Sequence, residues 1–422
     1  MSRLDELIAE LCPDGVEFKP LWSVTIWDKK FNAVDRRKQP KVYNYPYLLA
    51  KDLFALEVEG GDVFLLSTGE QTGWTLEEIA GDNMCEGEVV TIPWGKSRAV
   101  VDCIKYYKGK FVTADNRIMT SNDTDILSNK YLYYWIMTQG DLIDSFYRGS
   151  GIKHPDMAKV LELKIPVPPL EVQREIVRIL DNFTELTAEL TAELTAELTA
   201  RKQQYDYYAD NMFPSIKEKN TEWIELGSVA TVTKLAGFEF TKYVTYSENG
   251  TIIALRGLNV KNGHLVLDDV KYIDGSNLDM LTRSKLHVGD MLFTYVGTVG
   301  QVALVDQEDK YYLAPNVALV RINTTEFIPK YMMYYFLTNR FKSEQIAKLL
   351  QASSMKNIPM EKIRKFKLPK ISLERQQQIV DVLARFDGIC NDISSGLPAE
   401  IEARQKQYEY YRDKLLTFKQ LA

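Results

Sequence analysis

Thr187-Ala-Glu-Leu190, Thr191-Ala-Glu-Leu194 and Thr195-Ala-Glu-Leu198 follow one another near the middle of the 422-residue chain, after the partial copy Thr184-Glu185-Leu186. A four-residue unit is close to the 3.6-residue turn of an α-helix. The leucines Leu186, Leu190, Leu194 and Leu198 therefore stay on neighbouring faces of one helix. Heptad-like apolar spacing on both sides of the run extends the prediction to a single helix from Leu170 to Phe213, about 65 Å long at ~1.5 Å per residue. The repeat has the character of a spacer whose length is counted in units.

The same helix occurs twice in the chain. Residues 164–180, Lys164-Ile-Pro-Val-Pro-Pro-Leu-Glu-Val-Gln through Leu180, are echoed by residues 367–383 at an offset of 203. The offset carries the four spacer leucines onto Ile389, Ile393, Leu397 and Ile401, so both copies keep an apolar stripe. Gly396 and Pro398 interrupt the second copy, and proline is tolerated in a first helical turn. We therefore predict that the second helix stops near Ser394 and restarts at about Leu397.

The globular parts in front of the two helices read as mixed α/β heads. In the first, the strand signal Gly61-Asp-Val-Phe-Leu-Leu-Ser67 precedes an aromatic helix at about 130–146. In the second, Gly289-Asp-Met-Leu-Phe-Thr294 precedes a helix from about Lys330, and both aromatic helices are expected in the core. The predicted segments are a first head at 1–165, a helical spacer at 166–218, a second head at 219–368 and a second spacer at 369–422. The predicted class is α+β, with two α/β heads on helices that pair as an antiparallel coiled coil with pseudo-two-fold symmetry.

Composition excludes several classes of protein. No run of about eighteen apolar residues is present and the first residues lack the features of a signal peptide, so we expect a soluble, cytoplasmic protein with no membrane segment. The four cysteines have no CxxC spacing, and the three histidines are scattered, which leaves little material for a metal site or a catalytic triad. Trp94-Gly-Lys-Ser97 lacks the first glycine of a phosphate loop. We expect no catalytic site, bound metal or cofactor in this chain.

The duplicated proline-bounded helix starts, the strand and turn Gly289-Asp-Met-Leu-Phe-Thr-Tyr-Val-Gly-Thr-Val-Gly300 and the spacer together resemble the DNA-specificity subunit of type I restriction-modification enzymes over nearly the whole chain. The resemblance implies two target-recognition domains, each reading one half of a split, asymmetric sequence in double-stranded DNA. It also implies two methyltransferase subunits and ATP-driven restriction subunits as partners. S-adenosylmethionine, ATP and Mg²⁺ are then expected on the partner subunits. The specificity subunit of that family is non-catalytic.

The net charge of −6 confines any DNA contact to local patches. Residues 28–41 hold six basic and two acidic residues and are suited to phosphate contacts. The loop 149–154 and its counterpart 351–357 are small and polar, which allows backbone N–H groups to approach a phosphate. Arg and Asn recognise guanine and adenine in the major groove, and a polar segment at 256–262 supplies both. The predicted DNA-binding residues are Lys29, Lys30, Arg36, Arg37, Lys38, Lys41, Ser150, Lys153, His154, Arg256, Asn259, Lys261, Ser354, Lys356 and Asn357. For each set, a solvated loop or an ordinary surface residue is the alternative interpretation.

Three tyrosines lie near the C-terminal end of each predicted helix and cover more than one helical face. Some are expected to pack between the helices, and others to anchor a methyltransferase subunit, since tyrosine is enriched at interfaces. The predicted partner-binding residues are Tyr205, Tyr207, Tyr208, Tyr408, Tyr410 and Tyr411. Two rival functions stay open on the sequence: a coiled-coil scaffold with two protein-binding heads, and a nuclease or nucleotide hydrolase whose site has no recognisable motif.

Overall fold

The computed structural model describes residues 2–69, 72–96, 98–235, 240, 242–351, 357–391 and 396–421. The chain divides into two units, and each is treated by itself below. Unit 1 consists of Met1–Ala192 and Glu402–Ala422, and unit 2 consists of Glu193–Ile401.

The helices and strands alternate in short pieces, apart from the long central helix and two helices near the C-terminus. Up to residue 212 they are α1 (Arg3–Leu11), β1 (Glu17–Pro20), α2 (Leu21–Val24), β2 (Thr25–Trp27), β3 (Tyr47–Leu48), α3 (Ala50–Phe54), β4 (Val63–Leu66), β5 (Gly73–Thr75), α4 (Glu77–Ala80), β6 (Cys85–Ile92), β7 (Lys105–Ala114), β8 (Arg117–Ser121), α5 (Asn129–Thr138), α6 (Gly140–Ser145), β9 (Tyr147–Arg148), β10 (His154–Pro155), α7 (Met157–Leu161), β11 (Lys164–Val167) and α8 (Leu170–Met212). After it come β12 (Glu222–Glu225), α9 (Leu226–Val229), β13 (Ala230–Lys234), β14 (Ile253–Leu255), β15 (Val260–Lys261), β16 (His264–Leu265), β17 (Met291–Thr294), β18 (Val302–Leu304), β19 (Tyr311–Leu313), β20 (Val317–Ile322), α10 (Pro329–Leu337), α11 (Asn339–Phe341), α12 (Ala347–Gln351), α13 (Met360–Ile363), β21 (Lys367–Lys370), α14 (Leu373–Asn391) and α15 (Leu397–Leu415).

Four strands follow the same order in the sheets of the two heads. In the described part of unit 1 the order is β2-β8-β6-β7-β4-β5, with β3 also paired to β7, and in unit 2 it is β13-β20-β17-β18. β17 lies between β20 and β18 just as β6 lies between β8 and β7. The counterpart of the Gly289–Thr294 strand is therefore Gly87-Glu-Val-Val-Thr-Ile and not the Gly61–Ser67 strand that the sequence suggested. The strands at Gly87–Ile92 and Gly289–Thr294 both consist of a glycine, an acidic residue and a buried, mainly apolar run.

Each head closes on the strand that leads into its long helix. β11 pairs antiparallel with β1, and β21 pairs antiparallel with β12. The first residues of each helix are then fixed by a buried glutamine. The Gln173 amide accepts from the Ser128 N–H at 2.9 Å and donates to the carbonyls of Ile126 and Pro168, both at 2.7 Å.

Gln376 makes the same set of bonds in unit 2, with the Ile328 N–H and with the carbonyls of Glu326 and Ile371. Both glutamine side chains are fully buried. The duplicated Leu-Glu-x-Gln segment is thus a joint that sets the direction of a helix relative to its own head.

The aromatic helices lie in the cores, as predicted. α5 buries Tyr131, Tyr134 and Trp135, while α10 buries Tyr331 and Tyr335. The predicted helix at 130–146 is interrupted at Gln139, which separates α5 from α6. The hydroxyls of Tyr131 and Tyr331 donate to equivalent proline carbonyls, those of Pro166 and Pro369.

The long helices pair antiparallel in each unit. In unit 1 the Phe183 ring contacts Tyr411, with centroids 6.1 Å apart, and the Thr184 and Tyr408 hydroxyls are 3.0 Å apart. In unit 2 the Phe386 ring contacts Tyr208, with centroids 5.8 Å apart. Burial raises the pKa of the Cys390 thiol, and the nearby positive charges of Lys202 and Arg201 oppose this rise. The Phe183–Tyr411 contact and the Phe386–Tyr208 contact are related by the offset of 203, as the duplication predicts.

α8 ends one residue before the predicted end, and α15 begins at Leu397, as predicted. The predicted stop near Ser394 and the spacer residue Ile393 lie outside the described residues. Along the predicted stripe Leu194 is buried, and Leu190, Leu198, Leu397 and Ile401 are half-buried. Leu186 and its counterpart Ile389 are exposed, because the four-residue repeat rotates gradually away from the packed face. The repeat glutamates Glu185, Glu189, Glu193 and Glu197 are all exposed, as expected for a solvated face.

Candidate nucleic-acid interface

The basic run of the first head divides into exposed and anchored cations. Arg37 pairs with Asp35 at 2.6 Å but is almost fully exposed, and Lys38 pairs with Glu162. Lys30, Arg36 and Lys41 are exposed. Lys29 is anchored: its Nζ lies 2.5 Å from Asp115 Oδ1 and 4.3 Å from the centroid of the Tyr47 ring. The charge of Lys29 is therefore balanced within the protein, whereas Lys30, Arg36, Arg37 and Lys41 are exposed.

The run meets the predicted loop at 149–154 in one cavity. This cavity, here called the Trp94 pocket, has a volume of about 560 Å³ and is open on one side. Three predicted residues line it, namely Lys29, Lys30 and His154. Chain segments that are far apart in sequence complete its wall: Phe31, Asn32, Ala33, Trp94, Arg117, Arg148, Pro155, Asp156 and Met157.

Aromatic and cationic side chains are layered in this pocket. The guanidinium carbon of Arg117 lies 3.7 Å from the centroid of the Trp94 ring and 5.5 Å from that of Phe31. The His154 ring stacks on Trp94 at a centroid distance of 4.1 Å, and its Nδ1 is 3.0 Å from the Trp94 carbonyl oxygen. Arg117 Nη1 donates to Asp115 Oδ1 at 3.1 Å. The pocket therefore offers planar and positively charged groups together.

A buried acid lies behind the wall. Asp28 Oδ1 accepts from the Ile118 N–H at 3.2 Å, and Asp28 Oδ2 lies 3.3 Å from the Lys29 ammonium. Burial raises the pKa of the Asp28 carboxyl, while the charges of Lys29 and Arg117 oppose the shift. Asp28 and Asp115 thus hold the cations of the wall in place and balance part of their charge.

The loop at 149–154 joins β9 to β10. Gly149 has φ +135°, a conformation that favours glycine, and Ser150, Ile152 and Lys153 are exposed. Lys153 forms an isolated antiparallel bridge with Lys96, in the turn after β6. In unit 2 the turn after β17 meets Asn357 in the same way, through a bridge to Val296. Ser354 and Lys356 lie outside the described residues.

The predicted residues of the second head hold its own loop together. Arg256 Nη2 donates to the Asp269 backbone oxygen at 2.8 Å and to Asp269 Oδ1 at 2.7 Å. Asn259 is fully buried; its Oδ1 accepts from the Arg256 N–H, and its Nδ2 donates to the carbonyls of Val266 and Asp269. We therefore correct the assignment of Asn259, whose amide is committed to the fold and presents no edge to a base. Lys261 is exposed.

The six tyrosines separate by position. Tyr205 and Tyr408 are half-buried between helices, and burial raises the pKa of Tyr205. Tyr208 and Tyr411 are partly exposed against Phe386 and Phe183. Tyr207 and Tyr410 project outward, with 67% and 62% of their surface exposed. Equivalent positions have equivalent exposure, so each helix end presents one fully outward tyrosine.

Sequence reasoning did not find Trp94, Arg117 or Arg148. Trp94 belongs to a segment that fails the phosphate-loop pattern, and Arg117 opens a strand with no motif around it. Their meeting depends on β8 pairing with both β2 and β6, which no local pattern reveals. Within the described ranges, no group of three His, Cys, Asp or Glu side chains is arranged to hold a metal ion. Nor does any described helix combine the length and apolar character needed to cross a membrane.

Comparison with known proteins agrees with the duplicated architecture. The family described as "Type I restriction modification DNA specificity domain" matches twice, at residues 32–200 and 218–403. The chain is 34% identical over 437 residues to the type I restriction enzyme EcoR124I/EcoR124II specificity subunit of Escherichia coli, with 99% of this chain and 97% of that protein covered.

A second relative is a putative type I restriction enzyme specificity subunit of Haemophilus influenzae, 32% identical over 340 residues, with 79% of this chain and 83% of that protein covered. A solved structure from work on complex assembly and conformational transition of the type I R-M system superposes with a TM-score of 0.61. It covers 96% of this chain and 98% of that chain at 15% identity, which is a likeness of fold. The family that the sequence suggested is confirmed: the chain belongs to the type I restriction-modification DNA-specificity family.

Proposed function

We propose that this chain is the DNA-recognition subunit of a type I restriction-modification complex, in which each head reads one half of a split, asymmetric target in double-stranded DNA. The observation that carries the proposal is the pair of heads that share the order of four sheet strands, each ending in the same glutamine joint and a long helix. Their loops differ, as expected if the two heads read different sequences. The double match to a DNA-specificity domain supports it.

In the first head, the exposed cations around the Trp94 pocket are suited to DNA phosphates. Lys30, Arg36, Lys41 and Lys153 are exposed, and the two segments that carry them, 28–41 and 149–154, both contribute residues to the lining of this pocket. Phosphate contacts supply salt-dependent affinity and position the protein, while sequence is read by groups that reach base edges. Such a local patch reconciles DNA binding with a net charge of −6.

The helical segments set the spacing between the half-sites and dock two methyltransferase subunits in this proposal. Unit 1 has a shallow groove of about 400 Å³ lined by Phe183, Leu186, Thr187, Leu190, Arg404, Gln407, Tyr408 and Tyr411. Leu186 there is 60% exposed, and Tyr411, also in the lining, is 41% exposed. Exposed aromatic and aliphatic groups of this kind anchor protein interfaces.

Chemistry belongs to the partners in this proposal. The methyltransferase subunits bring S-adenosylmethionine and methylate adenine, and the restriction subunits use ATP and Mg²⁺. The chain works in the cytoplasm, where its DNA is found, and contributes recognition and assembly.

Selection from a randomised duplex library by the chain together with its methyltransferase subunit tests the proposal. We expect enrichment of a motif with two unlike specified halves separated by a fixed number of unspecified base pairs. Enrichment of a single continuous motif would show that only one head recognises a specific sequence. Enrichment of no sequence, from a complex that assembles normally, would contradict the proposal and favour a protein scaffold.

A further inference from the structure

The Trp94 pocket is an open cleft of the size that holds a small planar ligand. Its volume of about 560 Å³ falls in the range of clefts that bind small organic molecules. An intact duplex is a convex rod whose bases are stacked inside, so it would lie across the mouth and leave the cavity unfilled. A single nucleotide swung out of the stack is a planar ring with an attached phosphate, which matches a cavity with layered aromatic and cationic walls.

One donor of the pocket wall has no hydrogen-bond acceptor. Arg117 is only 5% exposed, and its Nε is a buried atom without a hydrogen-bond partner among the described residues. The guanidinium charge is paired with Asp115 through Nη1, but a buried N–H without an acceptor is still costly. Ring nitrogens, base carbonyls and phosphate oxygens are acceptors of the kind that this donor lacks.

An apolar side chain stands at the rim. Ile152 is 70% exposed at the tip of the loop between β9 and β10, although it is isoleucine among Gly151, Lys153 and other polar neighbours. A Cβ built on Gly95 would come within 2.6 Å of Ile152 Cγ2, so Ile152 lies directly beside the turn that carries Trp94. DNA-binding proteins insert such side chains between base pairs and unstack them.

The second copy has an apolar residue at the same place in sequence. Offset by 203, Ile152 and Lys153 correspond to Met355 and Lys356, which lie outside the described residues. Both loops therefore follow the pattern of small polar residues, one large apolar residue and a lysine.

We propose that the first head extrudes one nucleotide of its half-site from the duplex, that Ile152 fills the space left in the base stack, and that the Trp94 pocket receives the extruded nucleotide. The inference rests on the proposed function and deepens it. His154 and Trp94 supply the planar surface, Arg117 supplies a donor, and the exposed Lys30 in the lining supplies a positive charge for the phosphate. This nucleotide is distinct from the adenine that a methyltransferase subunit modifies.

Mismatch scanning tests the inference. The complex of this chain with its methyltransferase subunit is titrated with duplexes of the selected target, each carrying one mismatch, made in each strand in turn. A mismatch weakens binding where a stacked pair is read, but it tightens binding where a nucleotide is extruded, because the pair is already broken. We expect one position in the half-site of the first head, apart from the methylated adenine, where the mismatch lowers the dissociation constant by about tenfold.

Two variants distinguish the role of Ile152 from that of the Trp94 pocket. His154→Ala removes a planar wall, so the gain from the mismatch should fall below about twofold, since base stacking on aromatic side chains is lost. Ile152→Ala removes the side chain that fills the gap in the base stack, so binding of the matched and of the mismatched duplex should both weaken while the gain from the mismatch is kept. Ile126→Ala is the matched control, because Ile126 is an exposed isoleucine of the same unit, 45% exposed and outside the loop.

The inference is overturned if no position other than the methylated adenine gains from a mismatch, or if the gain is the same in His154→Ala as in the unaltered chain. A complex that prefers the matched target but shows no such position retains the proposed function and loses only this inference. A complex without any sequence preference contradicts the proposed function and the inference together.

Discussion

At the scale of single residues, Gln173 and Gln376 explain why one short segment is repeated so closely. Each buried amide satisfies one backbone N–H and two carbonyls at the point where a head joins its helix. A buried amide of this kind has no equivalent among apolar residues, since its removal leaves backbone groups unpaired.

Replacement of Gln173 by methionine should therefore lower the free energy of unfolding of the full chain by about 2–3 kcal/mol, because three buried backbone groups lose their partners. Urea unfolding followed by tryptophan fluorescence measures the change. Gln203→Met, at an exposed position of the same helix, is the control and should have little effect. Equal destabilisation by the two variants would refute the role of the joint.

Lys105 predicts a pH dependence of stability. Its Nζ donates to the carbonyl and the hydroxyl of Ser67, both at 3.0 Å, and burial lowers its pKa from 10.5 to about 8. Between pH 8 and pH 10.5 the Lys105 ammonium keeps its proton in the unfolded chain but has released it in the folded chain. The free energy of unfolding therefore increases as the pH is raised through this window. Compared with Lys105→Met, the unaltered chain should gain stability from pH 8 to pH 10.

Urea midpoints at the two pH values provide the measurement. Lys108→Met, at an exposed position on the same strand, should keep the pH dependence of the unaltered chain. A Lys105→Met chain with the same pH dependence as the unaltered chain would show that another group is responsible.

Residue types alone predicted only part of the candidate site. The basic run and the loop before His154 were identified from composition, and the structure brings Lys29, Lys30 and His154 to one pocket. Asn259 has the chemistry of a base-reading residue, yet it is buried as part of a turn. A polar side chain is unavailable to DNA when it forms hydrogen bonds within the protein. That depends on its neighbours in space, which the sequence of a short segment does not reveal.

At the scale of elements, α8 was predicted almost to the residue, because helical periodicity is a local property of the sequence. Strand equivalence was harder. Gly61–Ser67 and Gly289–Thr294 look alike, but sheet order makes β6 the counterpart of β17. Strand pairing is non-local, so similar strand sequences do not identify equivalent positions in two sheets.

Removal of one Thr-Ala-Glu-Leu unit tests the role of α8 as a spacer. The deletion shortens the helix by about 6 Å, which corresponds to one or two base pairs at ~3.4 Å each. We expect the preferred gap between half-sites to shrink accordingly while both half-site sequences stay the same. Methylation sequencing gives the gap, and an unchanged gap would exclude the spacer role.

The outward tyrosines predict where a methyltransferase subunit binds. Tyr207→Ala combined with Tyr410→Ala should weaken binding of that subunit by about tenfold or more, since exposed tyrosines that become buried at an interface act as hot spots. Tyr246→Ala is the control, because Tyr246 is a 46% exposed tyrosine outside the helices. Titration calorimetry measures both. Affinities equal to that of the unaltered chain in both variants would move the interface elsewhere.

At the scale of the whole molecule, duplication is the feature that the sequence revealed most completely. A single offset of 203 relates the helix starts, the aromatic contacts between helices and the outward tyrosines of the two copies. The heads have diverged far more than the helices. This difference is expected if the helices have the same role in both halves while each head recognises its own sequence.

The most direct test of the central claim is single-molecule methylome sequencing of a host that carries this chain with its methyltransferase subunit, beside a host that lacks only this chain. The account predicts a split, asymmetric motif with methylated adenines that appears only when the chain is present. A methylome that is the same in both hosts, with the methyltransferase subunit shown to be expressed and active, would contradict it.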